Sequence, residues 1–338
     1  MEVVEITKNE KNSFNEFVEK NGTFLQSFDW GEFKNNFEWK PYRFAVINKG
    51  ILVLSASVLQ KKLPFNKSFL YVPEGPVLNK EHWGSPSKIK EYVSALLNKI
   101  ESYSEKENAI FLRIEPSFEI PNIKKLKFIE SFENVQPKHR LWVDLSLNEE
   151  EILRQMKHKG RYNIRIAKDD GVTILETRDD DKLDAFYKLL LETTKRDKFS
   201  SRPKEYFQFL LDLLWEKNIG GLFLAFIKNI PLAGAIISFW GKHALYLYGA
   251  SSNQHREVMA SYLLHWEIIK KAKQRGCTFY DFGAIAPNDN PNHIWAGLRQ
   301  FKSKFGGDEI HLPGCFDFVY QKTNYNLFKT IEKVRRKI

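Results

Sequence analysis

The chain has 338 residues, 43% hydrophobic and 28% charged, with 52 Lys and Arg against 42 Asp and Glu for a formal charge of +10. That is globular composition on a chain longer than one core usually organises, which excludes wholesale disorder and predicts two domains. The longest apolar run, 230–240, is about half of what a membrane-crossing helix needs, no signal-peptide pattern opens the chain, and two cysteines exclude a disulfide scaffold or a four-cysteine metal site. A soluble cytoplasmic protein with reduced thiols, no metal and no cofactor is expected.

In chain order, helical stretches at 12–20 and 30–37 lead into strands 42–48 and 51–59, joined at Lys49-Gly50, a turn signal. Strand 68–72 follows, then a helix over 87–102 with Ile89, Val93, Leu96, Leu97 and Ile100 on one face, then strand 109–114. Strand 140–145 precedes a helix capped by Ser146 or Asn148 ahead of Glu149–Glu151. Between Arg154 and Lys168 stand six basic residues and no acid. With Ile152, Met156, Asn163 and Ala167 at near-helical spacing, this stretch predicts one helix with an apolar seam and basic flanks. Its basic face is either a solvated surface or a phosphate contact.

The first series of elements then recurs. Helices 182–196 and 203–217 precede strands 222–227 and 232–240, joined through 228–231; strand 243–250, a helix over 257–275 and strand 277–282 complete the second copy. The hairpins start 180 residues apart. The repeat predicts an α+β (mixed αβ) fold of two like units, each an antiparallel meander with a helical crossover to a further strand. The expected division is 1–145 and 146–317, with a C-terminal segment, 318–338, completing the first unit through a helix at 324–337.

Familiar catalytic signatures are few. Asp281-Phe282-Gly283 spells the kinase magnesium motif without a glycine-rich loop or His-Arg-Asp loop, so it is read as a strand-end coincidence. No His-Glu-x-x-His, Walker lysine loop, dinucleotide fingerprint or Gly-x-Ser-x-Gly elbow is present. The meander followed by a helix resembles acyl-CoA N-acyltransferases, whose glycine-bearing loop meets the CoA diphosphate at a helix N-terminus. Here that loop, 251–261, has no glycine and carries Glu257, which argues against CoA as donor.

FLQSFDWGEFK (24–34), YVPEGPV (71–77), RYNIR (161–165), 199–206, and 280–307 with HIWAG (293–297) and Phe301-Lys302 together resemble the Fem (FemABX) family of peptidyltransferases. That family adds amino acids from aminoacyl-tRNA to the peptide of peptidoglycan precursors. The resemblance runs over nearly the whole chain. It implies a tandem pair of GNAT-like acyltransferase domains, here without the helical-arm insertion of some members. It also implies two partners: aminoacyl-tRNA as donor, and UDP-MurNAc-pentapeptide or lipid II as acceptor, with peripheral contact to the inner membrane face.

Carried over residue by residue, the precursor-binding set falls on Lys34, Arg202, Tyr206 and Tyr248, and the catalytic segment on Phe301 and Lys302. A lysine and a forked arginine suit the diphosphate and carboxylates of such a precursor. Arg202 and Tyr206, four apart across Pro203, fit the first turn of one helix. Lys302 is assigned to steady the oxyanion of ester aminolysis or to position the tRNA, with Phe301 packing on the terminal adenosine or offering its backbone. Arg299 and Lys304 join Lys302 in a positive loop before Gly306-Gly307, and Arg161 and Arg165 are the further tRNA contacts implied. Two other readings stay open: a GNAT-like N-acyltransferase with another acyl donor, and a non-catalytic basic protein of RNA or membrane surfaces.

Overall fold

Two positive-φ residues, Lys49 (51°) and Gly50 (76°), form the two-residue turn that pairs Asn48 with Ile51, the geometry that matches strand twist. Around that hairpin the computed structural model, which describes residues 1–335, builds the first of two compact units, Met1–Lys138 with Leu312–Ile338; the second is His139–His311.

The first unit runs β1 (Glu2–Glu5), α1 (Lys11–Asn21), α2 (Phe28–Asn35), β2 (Trp39–Asn48), β3 (Ile51–Leu63), β4 (Lys67–Val72), β5 (Val77–Leu78), α3 (Pro86–Lys106), β6 (Ala109–Ile114) and β7 (Phe128–Glu130). Ser27 caps α2 by accepting the Trp30 N–H at 3.0 Å, and Ser85 with Pro86 starts α3. Ile89, Tyr92, Val93, Leu96 and Ile100 of α3 bury one face against Phe44, Val46, Leu54 and Leu112 of the sheet.

The second unit runs β8 (His139–Asp144), α4 (Glu149–Gln155), α5 (His158–Asp169), β9 (Val172–Thr177), α6 (Asp180–Asp197), α7 (Lys204–Glu216), β10 (Gly220–Ile227), β11 (Ile230–Trp240), β12 (His243–Ser251), α8 (Ala260–Gln274), β13 (Phe279–Ala284), α9 (Ala296–Lys302) and β14 (Asp308–His311). The chain then returns to the first unit as β15 (Phe316–Val319) and α10 (Lys322–Arg335).

The two sheets follow one plan. The first is ordered β1-β2-β3-β4-β6-β15-β7, with β5 on β3; the second, read from its far edge, is β9-β10-β11-β12-β13-β8-β14. In each, one parallel pair (β4 with β6, β12 with β13) is bridged by a helix and every other pair is antiparallel. The sixth strand of each sheet is antiparallel to the crossover strand and comes from outside the meander: β15 beside β6, β8 beside β13. This is the mixed α+β tandem architecture expected. The longest helix among the described residues has 21 residues and none is long and apolar enough to cross a membrane.

Several local expectations give way to tertiary contacts. The basic stretch 154–168 is not one helix: α4 ends at Gln155, Met156 and Lys157 are extended, and α5 starts at His158. The Lys157 N–H goes to the Lys304 carbonyl (3.1 Å), and Gly160 packs so closely there that a Cβ would lie 2.3 Å from the same oxygen. The apolar seam nevertheless buries as expected at Ile152, Met156, Asn163 and Ala167. Asn148, not Ser146, caps α4, in a reciprocal box with Glu151. The helix foreseen from 257 begins at Ala260, after a short 3-10 turn and a left-handed Met259. Strand 277–282 begins at Phe279, because the Cys277 and Thr278 N–H groups bond Ala272 and Lys242. The edge strands β1, β7, β9 and β14 were not foreseen, nor was the inner strand β15. The segment 318–338 holds the end of β15 and then α10; residues 336–338 lie outside those described.

Candidate functional site

Two irregularities in the second sheet set the site. Between β11 and β12 the register passes from Ile236↔Tyr248 to Ile237↔Tyr246, leaving Leu247 unpaired. Residues two apart on a regular strand share a face; one extra residue switches it. Tyr246 accordingly meets His265 of α8 (ring centroids 4.7 Å), whereas Tyr248 meets Phe207 (5.0 Å) and Tyr206 (6.1 Å) of α7. Gly249 makes room for the first of these: a Cβ there would fall 1.5 Å from the Tyr246 hydroxyl.

On the α7 side the Tyr248 hydroxyl donates to Tyr206 Oη at 3.1 Å. Tyr206 is buried, and burial followed by the neighbouring Tyr248 pushes its phenol well above the usual range; burial raises Tyr248 as well. Both stay protonated at neutral pH and offer hydroxyls, not phenolates. Arg202, exposed just ahead of α7, holds its guanidinium carbon 5.8 Å from the Tyr206 ring. Arg202, Tyr206 and Tyr248 are thus brought together by α7 and the bulge in β12. Lys34 lies in the first unit, on the last turn of α2, 8% exposed, with its ammonium 5.7 Å and 5.5 Å from the Trp30 and Trp39 rings. It is a buried lysine among indoles, unlike an ordinary helix-surface lysine.

On the α8 side Lys302 is also buried, 4% exposed, and donates to the carbonyls of Phe282 and Ala284, both at 2.7 Å. Burial lowers its pKa to about 8, with the Asp281 carboxylate opposing that shift and the Arg140 guanidinium adding to it. At pH 7 it is still largely an ammonium. His265, 2% exposed, places Nδ1 2.7 Å from the Tyr280 hydroxyl; burial and then the nearby Lys302 lower its pKa to about 3, so it is neutral.

The Phe301 ring, half-buried, packs against Tyr262 (4.9 Å), Phe305 (5.5 Å) and His265 (5.6 Å). The loop is also less positive than its composition suggests. Arg299 is ion-paired with Glu309 (2.6 Å) and Asp289 (2.7 Å) and donates to the Ala286 carbonyl (3.0 Å). Lys304 donates to the Tyr262 hydroxyl at 3.1 Å. Arg161 turns back on the last carbonyls of α4, including that of Met156, which makes it a helix cap; Arg165 is exposed.

Sequence reasoning missed Tyr246, His265 and Asp281 around Lys302. Of the three only Asp281 stood in a motif, the tripeptide Asp281-Phe282-Gly283, read above as a strand-end coincidence.

A sequence model of the FemAB family matches residues 6–130, 126–227 and 225–333. The chain is 25% identical to the lipid II:glycine glycyltransferase of Staphylococcus aureus (strain MRSA252), in an alignment of 419 positions that covers all of this chain and 97% of that protein. The alignment exceeds the chain's own length, so that relative carries residues this chain lacks. A crystal structure of FemX matches with a TM-score of 0.85 at 25% identity, covering 97% of this chain and 99% of that one. A tandem GNAT protein from the clavulanic acid biosynthesis pathway shares the fold, with a TM-score of 0.57 at 10% identity over 94% of this chain and 98% of that one.

Proposed function

The chain belongs to the FemAB family, and from that premise we propose that it is an aminoacyltransferase that moves an amino acid from aminoacyl-tRNA to the peptide amine of a peptidoglycan precursor, building the interpeptide bridge. The observation that carries the reading is the pairing, in one unit, of an Arg202–Tyr206–Tyr248 cluster suited to an anionic acceptor with a buried ammonium, Lys302, suited to an oxyanion. The name of the staphylococcal relative favours the lipid-linked precursor over the nucleotide-linked one.

The reaction is ester aminolysis. The acceptor amine's lone pair forms a bond to the ester carbonyl carbon, the carbonyl electrons move onto oxygen, and collapse of the adduct expels the tRNA ribose hydroxyl. The proton lost by the attacking nitrogen goes to that leaving oxygen. Two of the three Lys302 N–H bonds go to backbone carbonyls, which leaves one to donate to the developing negative charge. A preorganised donor of this kind is worth about 3–4 kcal/mol, or roughly 10²–10³ in rate. His265 and the two tyrosines are not the base: His265 holds a proton too weakly, and both phenols hold theirs too tightly. With Lys302 acting as the ammonium, the acceptor amine arrives as the free base.

The test is mass spectrometry of lipid II or UDP-MurNAc-pentapeptide after incubation with the protein and charged tRNA. One aminoacyl residue is the expected gain; no gain with any charged tRNA refutes the assignment. Lys302→Met is expected to lower kcat about 10²–10³-fold with acceptor KM little changed, whereas Tyr248→Phe raises acceptor KM by the worth of one hydrogen bond, about 0.5–1.5 kcal/mol. Calorimetry with acetyl-CoA tests the other donor, and the glycine-free loop ahead of α8 predicts no heat of binding.

A further inference from the structure

β13 pairs with β8 through Phe279↔Asp144, Tyr280↔Val143 and Asp281↔Trp142, and then through Ala284↔Arg140. Phe282 and Gly283 therefore stand opposite the single residue Leu141, and the strand bulges. Gly283 takes φ of +68°, a conformation side-chain-bearing residues rarely adopt. The bulge has a geometric result. In a regular strand the carbonyls of residues two apart are about 6.6–6.8 Å from one another. The Phe282 and Ala284 oxygens both lie 2.7 Å from one nitrogen, Lys302 Nζ, so their separation cannot exceed the two distances combined. An unbulged strand does not bring them that near.

Asp281 holds this turn. Its Oδ1 accepts the Gly283 N–H at 2.6 Å, its Oδ2 accepts from Arg140 Nη1 at 2.9 Å, and His243 Nε2 lies 3.5 Å from Oδ2. The carboxylate is fully buried. Burial alone would raise its pKa, but the Arg140 guanidinium and then His243 hold it far below the usual carboxylate range.

We propose that Asp281, clamped by Arg140, is a positioning residue for Lys302: it locks the Gly283 bulge whose two carbonyls seat the ammonium, and it supplies the buried negative charge beside that seat. The proposal rests on the reading of Lys302 as the oxyanion-steadying group. The groups facing Lys302 are Asp281 of β13, Arg140 of β8, His265 of α8 and the Tyr246 ring of β12 at 5.6 Å. Asp281 favours the protonated amine, Arg140 disfavours it, and His265 and Tyr246 are neutral near pH 8. On top of the lowering by burial, the pair thus adjusts where Lys302 loses its proton, as well as where its nitrogen sits.

Asp281→Asn keeps an oxygen for the Gly283 N–H and removes the charge; Arg140→Gln removes the opposing charge. The pH at which Lys302 titrates is read directly by NMR of the ¹⁵N-labelled lysine side chain, with no substrate present. It is expected to fall by about 1 unit or more in Asp281→Asn and to rise in Arg140→Gln, the size typical of a charge within a few ångströms. In the transfer assay the alkaline limb of kcat moves the same way, with acceptor KM unchanged. Should a single variant fail to fold, Asp281→Asn/Arg140→Gln, which leaves neither member of the pair charged without the other, carries the test, and its Lys302 titration falls below that of the wild type. A titration that stays in place in the folded variants, or activity lost equally at every pH, overturns the proposal. If the wild type transfers nothing, the function fails, but the NMR titration still decides whether Asp281 governs Lys302.

Discussion

The strand pairs β6–β15 and β13–β8 occupy the same place in their two sheets, and each buries one arginine–aspartate pair with the signs exchanged between strands. In the first unit Arg113 on β6 grips Asp317 on β15 with two bonds of 2.8 and 2.9 Å, Glu133 adds a second carboxylate, and the Tyr325 hydroxyl donates to Asp317 at 2.7 Å. The ladder through that pair runs unbroken from Phe316↔Ile114 to Val319↔Phe111. In the second unit Arg140 Nη1 donates to Asp281 at 2.9 Å, and the ladder breaks directly after Asp281. One pair is closed on itself. The other is left with a carboxylate oxygen that shapes a bulge and a field felt by a lysine. A buried ion pair rarely adds net stability over apolar packing, yet it costs much to break; the same device can thus be a fixture in one unit and a functional seat in its counterpart.

The sharpest way to break that comparison is Arg113→Met. It strands Asp317 in the core, and stability measured by urea unfolding is expected to drop by about 3–5 kcal/mol, while transfer per folded molecule stays at the wild-type level. A loss of rate matching that of Asp281→Asn would show that the first unit's pair is no mere fixture.

The next effect separates the units by pH. Lys302 has a folded pKa of about 8 against an ordinary 10.5. Between those values the unfolded chain binds a proton the folded chain has lost, so unfolding free energy rises with pH across that window. The gain is on the order of 3 kcal/mol. Subtracting the stability curve of Lys302→Met from that of the wild type isolates this limb; a flat difference from pH 8 to 10.5 would mean the ammonium is not held as described.

The smallest effect concerns the brace behind the seat. Gly160→Ala pushes a Cβ against the Lys304 backbone oxygen, with an expected loss of about 1–3 kcal/mol by overpacking and a fall in kcat, since the turn after Lys302 must give. Thermal unfolding together with the transfer assay measures both.

Most of the frame was legible because it is local. Lys49-Gly50 announces its hairpin, the spacing of Ile89, Val93, Leu96 and Ile100 announces α3, and the recurrence of that order announces the repeat. Arg202 and Tyr206 could be placed together because one helix start carries both. The edge strands escaped: β9 buries only Val172 and Thr177 of six residues, so no alternation marks it. The surroundings of Lys302 escaped for a different reason. That Lys302 is buried while Arg299, three positions away, is neutralised by Glu309 and Asp289 depends on contacts distant in sequence. The bulge at Leu247 depends on register against a neighbouring strand, and at Gly283 the glycine is the local mark that a bulge is tolerated there.

The route of the chain has a consequence for synthesis. The second unit is one uninterrupted stretch, whereas the first sheet lacks the strand beside β6 until Phe316–Val319 has been made. On the ribosome, the later half of the polypeptide has all its pieces before the earlier half does. In the meantime Arg113 waits without Asp317, beside an open β6 edge of the kind that invites wrong partners. The part translated first is the part finished last.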